Sequence, residues 1–491
     1  MGIIARQSTT NVLYTYLGMG LGAVLTLFLY PHILSPEAYG LTRILVSAGL
    51  LGAHLSHLGM RNTILRFTPV FKDDSERMRS FRTYTFLLPL AGFLLFGLLL
   101  HFFQEPIISL YENRSPLVGD YLHLLVPLTL AILYFELANS TLRSLKDSTS
   151  GSFVQDLLLR LVIILSLMLL WLEWISLDTF FRLFVSAYVL LPLWLLHLLA
   201  RHGELRFSLR LTAISRSLRG SMKQYGLFTM LSGLTTMIVW NIDILMLGSL
   251  AGLDQTAVYA IAFYMGSVIT VPQRSLEKIL TPLIADHLRD RNLSRIGDLY
   301  RQSAHLQFLS GSFLLVTVWI LADPILTLLP DIYREGSLVI LIIGCGKLLD
   351  MATGANGSIL LLSRFYRWDL LFNGLLVILT FFTNWMLIPR FGVEGAAVAT
   401  TLSLLIYNTL KYLFVKYRLH LSPFTRSHLY ILLWTAGTLV VLQQIPSSNL
   451  WSDLLLDTGV FLALWLVPLT FHGEFRQWRE WRDRLRQRES E

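Results

Sequence analysis

The residues of this chain that could do chemistry are ionisable side chains inside otherwise apolar stretches. Six of them are candidates for lining a substrate path or for coupling transport to an ion: Arg43, Glu136, Arg160, Asp243, Lys347 and Asp350. An unpaired charge in hydrocarbon costs about 2.5 kcal/mol or more, so each needs a partner, an aqueous path or a function. A carboxyl group in an aqueous path can bind and release a proton, and a cation there can neutralise a phosphate or an acidic sugar.

The acids leave two interpretations open. Glu136 and Asp243 either couple transport to an ion or hold helices together through hydrogen bonds, and Asn139 shares the helical face of Glu136. Asp350 lies three residues after Lys347, so these two charges can neutralise each other on one helical face.

Other polar side chains in the apolar stretches have structural explanations. Two acid–base pairs with i,i+4 spacing lie near the ends of stretches, where long side chains reach water: Asp156 with Arg160, and Asp178 with Arg182. His54 and His57 also lie near an end, although an imidazole would suit a proton-coupled step. Three asparagines are expected to bond neighbouring helices rather than sugar hydroxyls: Asn373, Asn384 and Asn408.

Fourteen apolar stretches must position these side chains. About 20 apolar residues in a helix cross the ~30 Å hydrocarbon core of a bilayer. The sequence predicts spans at 11–33, 39–60, 84–104, 119–142, 152–172, 177–200, 224–250, 255–275, 304–329, 336–358, 368–388, 393–410, 427–446 and 452–472. The fold class is therefore an all-α polytopic membrane protein.

The positive charges orient these spans. Of 40 Lys and Arg residues, only Arg114, Arg334 and Arg390 fall in loops that follow odd-numbered spans. Most of the others lie in segments on the opposite side, such as 201–223 and 274–301. Because Lys and Arg concentrate on the cytoplasmic side, both termini are predicted to be cytoplasmic.

Composition and loop length exclude several classes of protein. A chain that is 54% hydrophobic with a mean hydropathy of +0.58 is not a soluble domain. The net charge of +8 is spread over the predicted cytoplasmic loops, which favours membrane lipids as partners over nucleic acid. The chain has a single cysteine, Cys345, which excludes a disulfide framework, and no metal site or cofactor is expected. Short outer loops and the absence of a phosphate-binding loop predict that the protein is not an enzyme.

A repeat divides the chain. Residues 11–51 and 226–269 both predict two helices joined by a short acidic turn, and each pair precedes a basic amphipathic segment. Two copies in the same orientation predict two pseudo-symmetric six-helix lobes, 1–222 and 223–420. Two extra helices follow at 421–472. Residues 473–491 predict a basic amphipathic cytoplasmic tail.

Three short motifs carry a family resemblance. Residues 34–40 (LSPEAYG) with 58–66 (LGMRNTILR), residues 243–262, and residues 384–397 (NWMLIPRFGVEGAA) resemble the Wzx-type polysaccharide-unit (O-antigen, lipopolysaccharide) flippases. These belong to the multidrug/oligosaccharidyl-lipid/polysaccharide exporter superfamily. The resemblance runs from about residue 8 to about residue 420.

The resemblance implies one function and leaves two alternative functions open. It implies a flippase that exports an undecaprenyl-diphosphate-linked oligosaccharide across the bacterial cytoplasmic (inner) membrane by alternating access, with polysaccharide assembly machinery as a further partner. Arg43, Arg160 and Lys347 would then neutralise the diphosphate. A drug/cation antiporter of the same superfamily is the alternative, and a polysaccharide polymerase or ligase is a weaker one. The lipid II flippases carry an Arg-Asp pair early in span 1, which this sequence lacks.

Overall fold

The computed structural model describes residues 3–72, 74–208, 213–444, 456 and 458–461. This part of the chain forms 19 α-helices and contains no strand. The first twelve are α1 (Ile3–Ala23), α2 (Tyr30–Ile33), α3 (Pro36–Ser56), α4 (Met60–Phe71), α5 (Ser75–Phe102), α6 (Gln104–Glu112), α7 (Leu117–Tyr121), α8 (Leu125–Ser144), α9 (Thr149–Ser152), α10 (Leu159–Trp171), α11 (Leu177–Arg201) and α12 (Arg216–Leu250). The remaining seven are α13 (Leu253–Ser267), α14 (Val271–Arg289), α15 (Leu293–Thr327), α16 (Ser337–Ala352), α17 (Asn356–Leu362), α18 (Tyr366–Leu419) and α19 (Arg426–Gln443).

Short polar side chains fix where several of the long helices begin. Each accepts a hydrogen bond from a backbone N–H two or three residues later, which satisfies a donor that the first turn leaves free. These caps are Ser35, Asp74, Ser176, Ser215 and Asn292. Apolar sequence then continues each helix, since its side chains can be buried in protein or lipid.

The helices confirm a multi-pass membrane protein. In the described part of the chain, eight helical segments are long and apolar enough to cross a bilayer, and α16 with α17, bent by 50°, adds a ninth. One of the eight, α18, contains predicted spans 11 and 12. The shorter helices α3, α13 and α19 cover residues 39–56, 255–267 and 427–443 of predicted spans 2, 8 and 13. Predicted span 14, except residues 456 and 458–461, and the tail at 473–491 lie outside the described residues.

A sharp reversal divides α18 at Gly392. That residue has φ 54° and ψ −130°, which glycine adopts because it lacks a Cβ. Residues 383 and 399 would be about 24 Å apart along a straight helix. The Thr383 hydroxyl nevertheless lies 3.3 Å from the carbonyl oxygen of Ala399. The two arms are therefore antiparallel, and the turn lies between the two predicted spans.

Two compact units make up the molecule. The first comprises residues 1–261 and 373–400, and the second comprises residues 262–372 and 401–491. In the first unit, α3 packs against α8 and α12, and α11 packs against α8. In the second, α15 packs against α14, α16 and α19. These bounds differ from those of the lobes expected from the repeat, and the lobe assignment stays a prediction.

Candidate functional site

Asp243 is the centre of a buried hydrogen-bond cluster in the first unit. Its side chain lies on α12 and is 4% exposed. The hydroxyls of Tyr259 and Thr400 each donate to Oδ2 at 2.7 Å, and Asn384 Nδ2 donates to Oδ1 at 2.6 Å. The three donors carry no formal charge, so hydrogen bonds stabilise the carboxylate in place of water.

Two turns bring this cluster together. Gly252, with φ 127°, connects α12 to α13 and allows Tyr259 to return to Asp243. The reversal at Gly392 places Asn384 and Thr400, one on each arm of α18, against the same carboxylate. The site therefore depends on the backbone conformation of two glycines, each seven to nine residues from the side chains that it brings together.

Proton binding at Asp243 has a specific structural consequence. An ionised carboxylate only accepts hydrogen bonds, whereas the protonated form carries a donor and needs an acceptor. Asn384 Oδ1 is buried and has no hydrogen-bond partner. A flip of the Asn384 amide would offer that oxygen to protonated Asp243, so the cluster contains an acceptor for the second protonation state.

Glu136 lies on α8 and has a charged partner. Its Oε2 is 2.9 Å from Arg61 Nε on α4, and the two side chains are 21% and 35% exposed. A cavity of about 50 Å³ adjoins Glu136, with Gln155 and Tyr188 as its other polar lining residues. The sequence did not predict this ion pair, because Arg61 follows the end of predicted span 2, where a basic residue is ordinary.

Arg43 and Arg160 are partly buried cations in the first unit. Arg43 Nε and Arg160 Nη1 are inaccessible to solvent and have no hydrogen-bond partner. Both guanidinium groups lie close enough to Tyr188 to act on it electrostatically. Gly22 makes room for Arg160, because a Cβ built there would lie 2.7 Å from Nη1. Gly18 and Gly22, two small residues four positions apart on α1, thus both pack against a charged side chain.

Lys347 and Asp350 belong to the second unit. Asp350 accepts hydrogen bonds from Asn408 Nδ2 at 2.8 Å and Gln273 Nε2 at 3.2 Å. Lys347 Nζ lies 5.5 Å from the centre of the Phe263 ring, within the range of a cation–π contact.

Glu277, on α14, extends the acidic group around Asp350. Gln273 Nε2 also donates to Glu277 Oε1 at 3.4 Å, so one amide joins both carboxylates. Burial and the nearby charge of Asp350 raise the pKa of Glu277 above its ordinary value. Glu277 did not stand out in the sequence, because it lies just after predicted span 8 in a segment where charged residues are common.

A buried ion pair in the second unit was also missed. Lys411 Nζ lies 2.7 Å from Asp369 Oδ1 and donates to the Tyr407 hydroxyl at 2.7 Å. The charge distribution predicts that Lys411, just after span 12, faces the cytoplasm, yet its side chain is only 4% exposed. Its spacing of four residues from Tyr407 is the sequence signal for this contact.

The simpler expectations have clear outcomes. Asp178 and Arg182 form the expected ion pair at 2.9 Å. Asn384 and Asn408 do bond other helical segments, but each does so through an acid that was itself a candidate site residue. His54 and His57, expected to be ordinary helix-end residues, are 7% and 2% exposed.

Comparison with known proteins gives one partial family match and identifies the fold. A MatE family model matches residues 229–386. No curated protein matches the chain. The structure of a lipid II flippase, MurJ, in an inward closed conformation matches with a TM-score of 0.74 at 13% identity, covering 96% of this chain and 99% of that one. The chain has the MurJ fold.

Multidrug transporters of the MATE family share this fold. An inward-facing MATE transporter matches with a TM-score of 0.64 at 16% identity, covering 84% of this chain and 94% of that one. The transporter DinF-BH, in complex with R6G, matches with a TM-score of 0.56 at 15% identity, covering 85% and 96%. At these identities the likeness is one of fold, and the cargo must be argued from the side chains.

Proposed function

We propose that this protein is a flippase that moves an undecaprenyl-diphosphate-linked oligosaccharide across the bacterial cytoplasmic membrane by alternating access. The sequence motifs resemble polysaccharide-unit flippases, and the fold is one that a lipid II flippase and multidrug transporters share. Lipid II itself is the less favoured cargo, since no charged residue occurs between Arg6 and Glu37.

The observation that carries this proposal is the pair of arginines in the first unit. Arg43 and Arg160 keep buried N–H donors that no protein acceptor uses. A diphosphate presents acceptor oxygens and negative charge, and arginine N–H groups match both. The same two charges would repel a cationic drug, so they favour an anionic lipid-linked cargo over the drug/cation antiporter.

The driving force is proposed to be an ion gradient. Asp243 and Glu136 are the first candidates for coupling, because each lies among groups whose hydrogen bonding changes on protonation. Lys347 and Asp350 remain candidates in the second unit. A polymerase or ligase is the weaker alternative, since the predicted outer loops are too short to form a catalytic domain.

The proposed orientation places both termini in the cytoplasm, as the distribution of Lys and Arg indicates. In a Cys345→Ala background, a cysteine at Asn113 should react with an impermeant thiol reagent added to intact cells. A cysteine at Asp290 should not react, and the reverse result would invert the orientation.

The cargo is tested in a deletion strain by the amount of surface glycan that each variant restores at equal membrane abundance. Arg43→Gln with Arg160→Gln should lower restoration about tenfold or more, since hydrogen bonds to charged groups contribute about 1.5–3 kcal/mol each. Arg43→Lys with Arg160→Lys should restore part of it. Arg182→Gln, which removes one positive charge from an exposed ion pair, is the control.

Two outcomes contradict the proposal. A deletion strain that keeps its full surface glycan and becomes drug-sensitive favours the antiporter. Full restoration by the double glutamine variant removes the two arginines from the substrate path.

A further inference from the structure

Two buried histidines join the end of α3 to α12. Gly59 N–H donates to His57 Nδ1 at 2.9 Å. His57 Nε2 lies 3.2 Å from His54 Nδ1, and His54 Nε2 lies 3.1 Å from the carbonyl oxygen of Met230 on α12. The chain of contacts therefore runs from a backbone amide, through both rings, to a backbone carbonyl.

The two ends of this chain determine where the ring protons lie. A carbonyl oxygen only accepts, so His54 Nε2 carries a hydrogen, and a backbone amide only donates, so His57 Nδ1 carries a lone pair. A neutral ring has one N–H. His57 Nε2 therefore donates to His54 Nδ1, and two neutral rings satisfy all three hydrogen bonds at once.

One additional proton cannot be bound without breaking a hydrogen bond. If the bond between the rings is kept, the additional proton must occupy His57 Nδ1, and the Gly59 amide then loses its acceptor. If the Gly59 bond is kept, two N–H groups face each other between His57 and His54. Either way, the turn at residues 57–59 loses one bond of the chain, while the bond from His54 to the Met230 carbonyl is kept.

The turn that would lose this bond is conformationally demanding. Leu58 and Gly59 have φ values of 50° and 75°, in the left-handed region that a leucine seldom adopts. Gly59 packs directly on the backbone of Gly226 in α12, and a Cβ built on Gly233 would lie 2.6 Å from His54 Cε1. The two glycines of α12 are seven residues apart, on one face of that helix.

A charged pair faces the two rings. Arg61, at the start of α4, acts electrostatically on both His54 and His57. Its partner on α8 is Glu136, 2.9 Å away. Loss of the negative charge of Glu136 would leave Arg61 uncompensated beside the rings and oppose their protonation. The charge on Glu136 therefore influences whether the pair accepts a proton.

We propose that His54 and His57 form a proton-sensitive clasp that holds the turn at residues 57–59 in place beside α12 when both rings are neutral. Binding of one proton by the pair releases either the Gly59 amide or the bond between the rings, and so loosens the turn where Gly59 packs on Gly226. The proposal does not depend on the identity of the cargo, and its test uses no substrate.

The test measures the separation of the turn and α12 as the pH changes. Spin labels at Asn62→Cys, three residues after Gly59, and Leu227→Cys, next to Gly226, are introduced in a Cys345→Ala background. The protein is placed in lipid nanodiscs and its continuous-wave spectrum is recorded from about pH 8 to about pH 4, because a proton that breaks a hydrogen bond beside Arg61 binds less readily than one on an ordinary histidine. We expect dipolar broadening to fall by half or more as the pH falls.

The matched variant replaces both rings by amides. His57→Asn keeps an acceptor for the Gly59 amide, His54→Gln keeps a donor for the Met230 carbonyl, and neither side chain titrates. This variant should show the broadening of the parent at pH 8 and keep it at pH 4. His197→Gln, at an exposed position, should respond to pH as the parent does.

Two results would overturn the clasp. Constant broadening across the pH range in the parent protein would do so without any variant, even if the amide variant failed to fold. An undiminished pH response in the His54→Gln/His57→Asn variant would assign the movement to other groups.

Discussion

Asp243 and Glu136 are two acids within one compact unit, and they are stabilised in different ways. Asp243 is almost fully buried and accepts three hydrogen bonds from uncharged donors. Glu136 is 21% exposed and has a cationic partner, Arg61. Protonation of Asp243 rearranges hydrogen bonds locally, whereas protonation of Glu136 leaves a cation that must find another partner.

Protonation of the two acids is therefore expected to act on the protein in two different ways. The donors to Asp243 lie on α13 and on both arms of α18, so its protonation state acts on how these helices are joined. The partner of Glu136 lies beside the histidine clasp, so its protonation state acts through charge. The predictions below test whether one acid couples transport and the other sets the local electrostatics.

The largest effect is expected from Asp243→Asn. The change preserves size but removes the charge and places an N–H where an acceptor is needed, so at least one donor loses its partner. Glycan restoration in the deletion strain should fall about tenfold or more, as expected for a lost buried hydrogen bond to a charged group. Thr400→Val removes one donor and keeps the acid, and it should cost less. Full restoration by Asp243→Asn would show that Asp243 does not couple transport and that the cluster has a structural role.

A smaller effect is expected from the other acid. Glu136→Gln and Arg61→Gln should each lower the free energy of unfolding by about 1 kcal/mol, because the pair is partly exposed. The double variant should cost less than the sum of the two single changes, since each leaves the other partner unpaired. Thermal unfolding of the purified protein measures this coupling. Additive losses would show that the two groups do not interact in the membrane.

The smallest effect concerns Asp147, an acid in the loop between α8 and α9 that, like Asp243, accepts hydrogen bonds from uncharged donors. Burial raises its pKa, but hydrogen bonds from Ser150 and Thr149 outweigh burial, so the pKa lies below its ordinary value. Because the pKa is lower in the folded protein than in the unfolded chain, the ionised carboxylate stabilises the fold at pH values above the unfolded pKa. This stabilisation is lost as the pH falls through the pKa of the folded protein.

Asp147→Ala should therefore lower the unfolding free energy by about 1 kcal/mol at neutral pH, the usual cost of a lost helix cap. The deficit should shrink as the medium becomes acidic. Asp147→Asn keeps the cap without the charge and serves as the control. A deficit that stays constant down to strongly acidic pH would contradict the assignment of this acid.

The sequence predicted the helical fold well and the site in part. Runs of apolar residues determine membrane helices locally, which is why the spans and the turn near Gly392 could be read directly. Asp243 and Glu136 stood out because charge is costly in lipid. Their partners Tyr259, Thr400 and Arg61 did not, since a tyrosine, a threonine or a helix-end arginine is ordinary in such a chain and gains its role only from tertiary contacts.

The reversal at Gly392 also has a consequence for how the protein is made. Two long apolar arms joined by so short a turn leave almost no polar segment to be carried across the bilayer by itself. The arms are then expected to enter the membrane together, as one helical hairpin that already pairs residues 383 and 399. A side chain at position 392 would disfavour this conformation. Such a change would act during biogenesis, and its signature would be protein lost before it reaches the membrane.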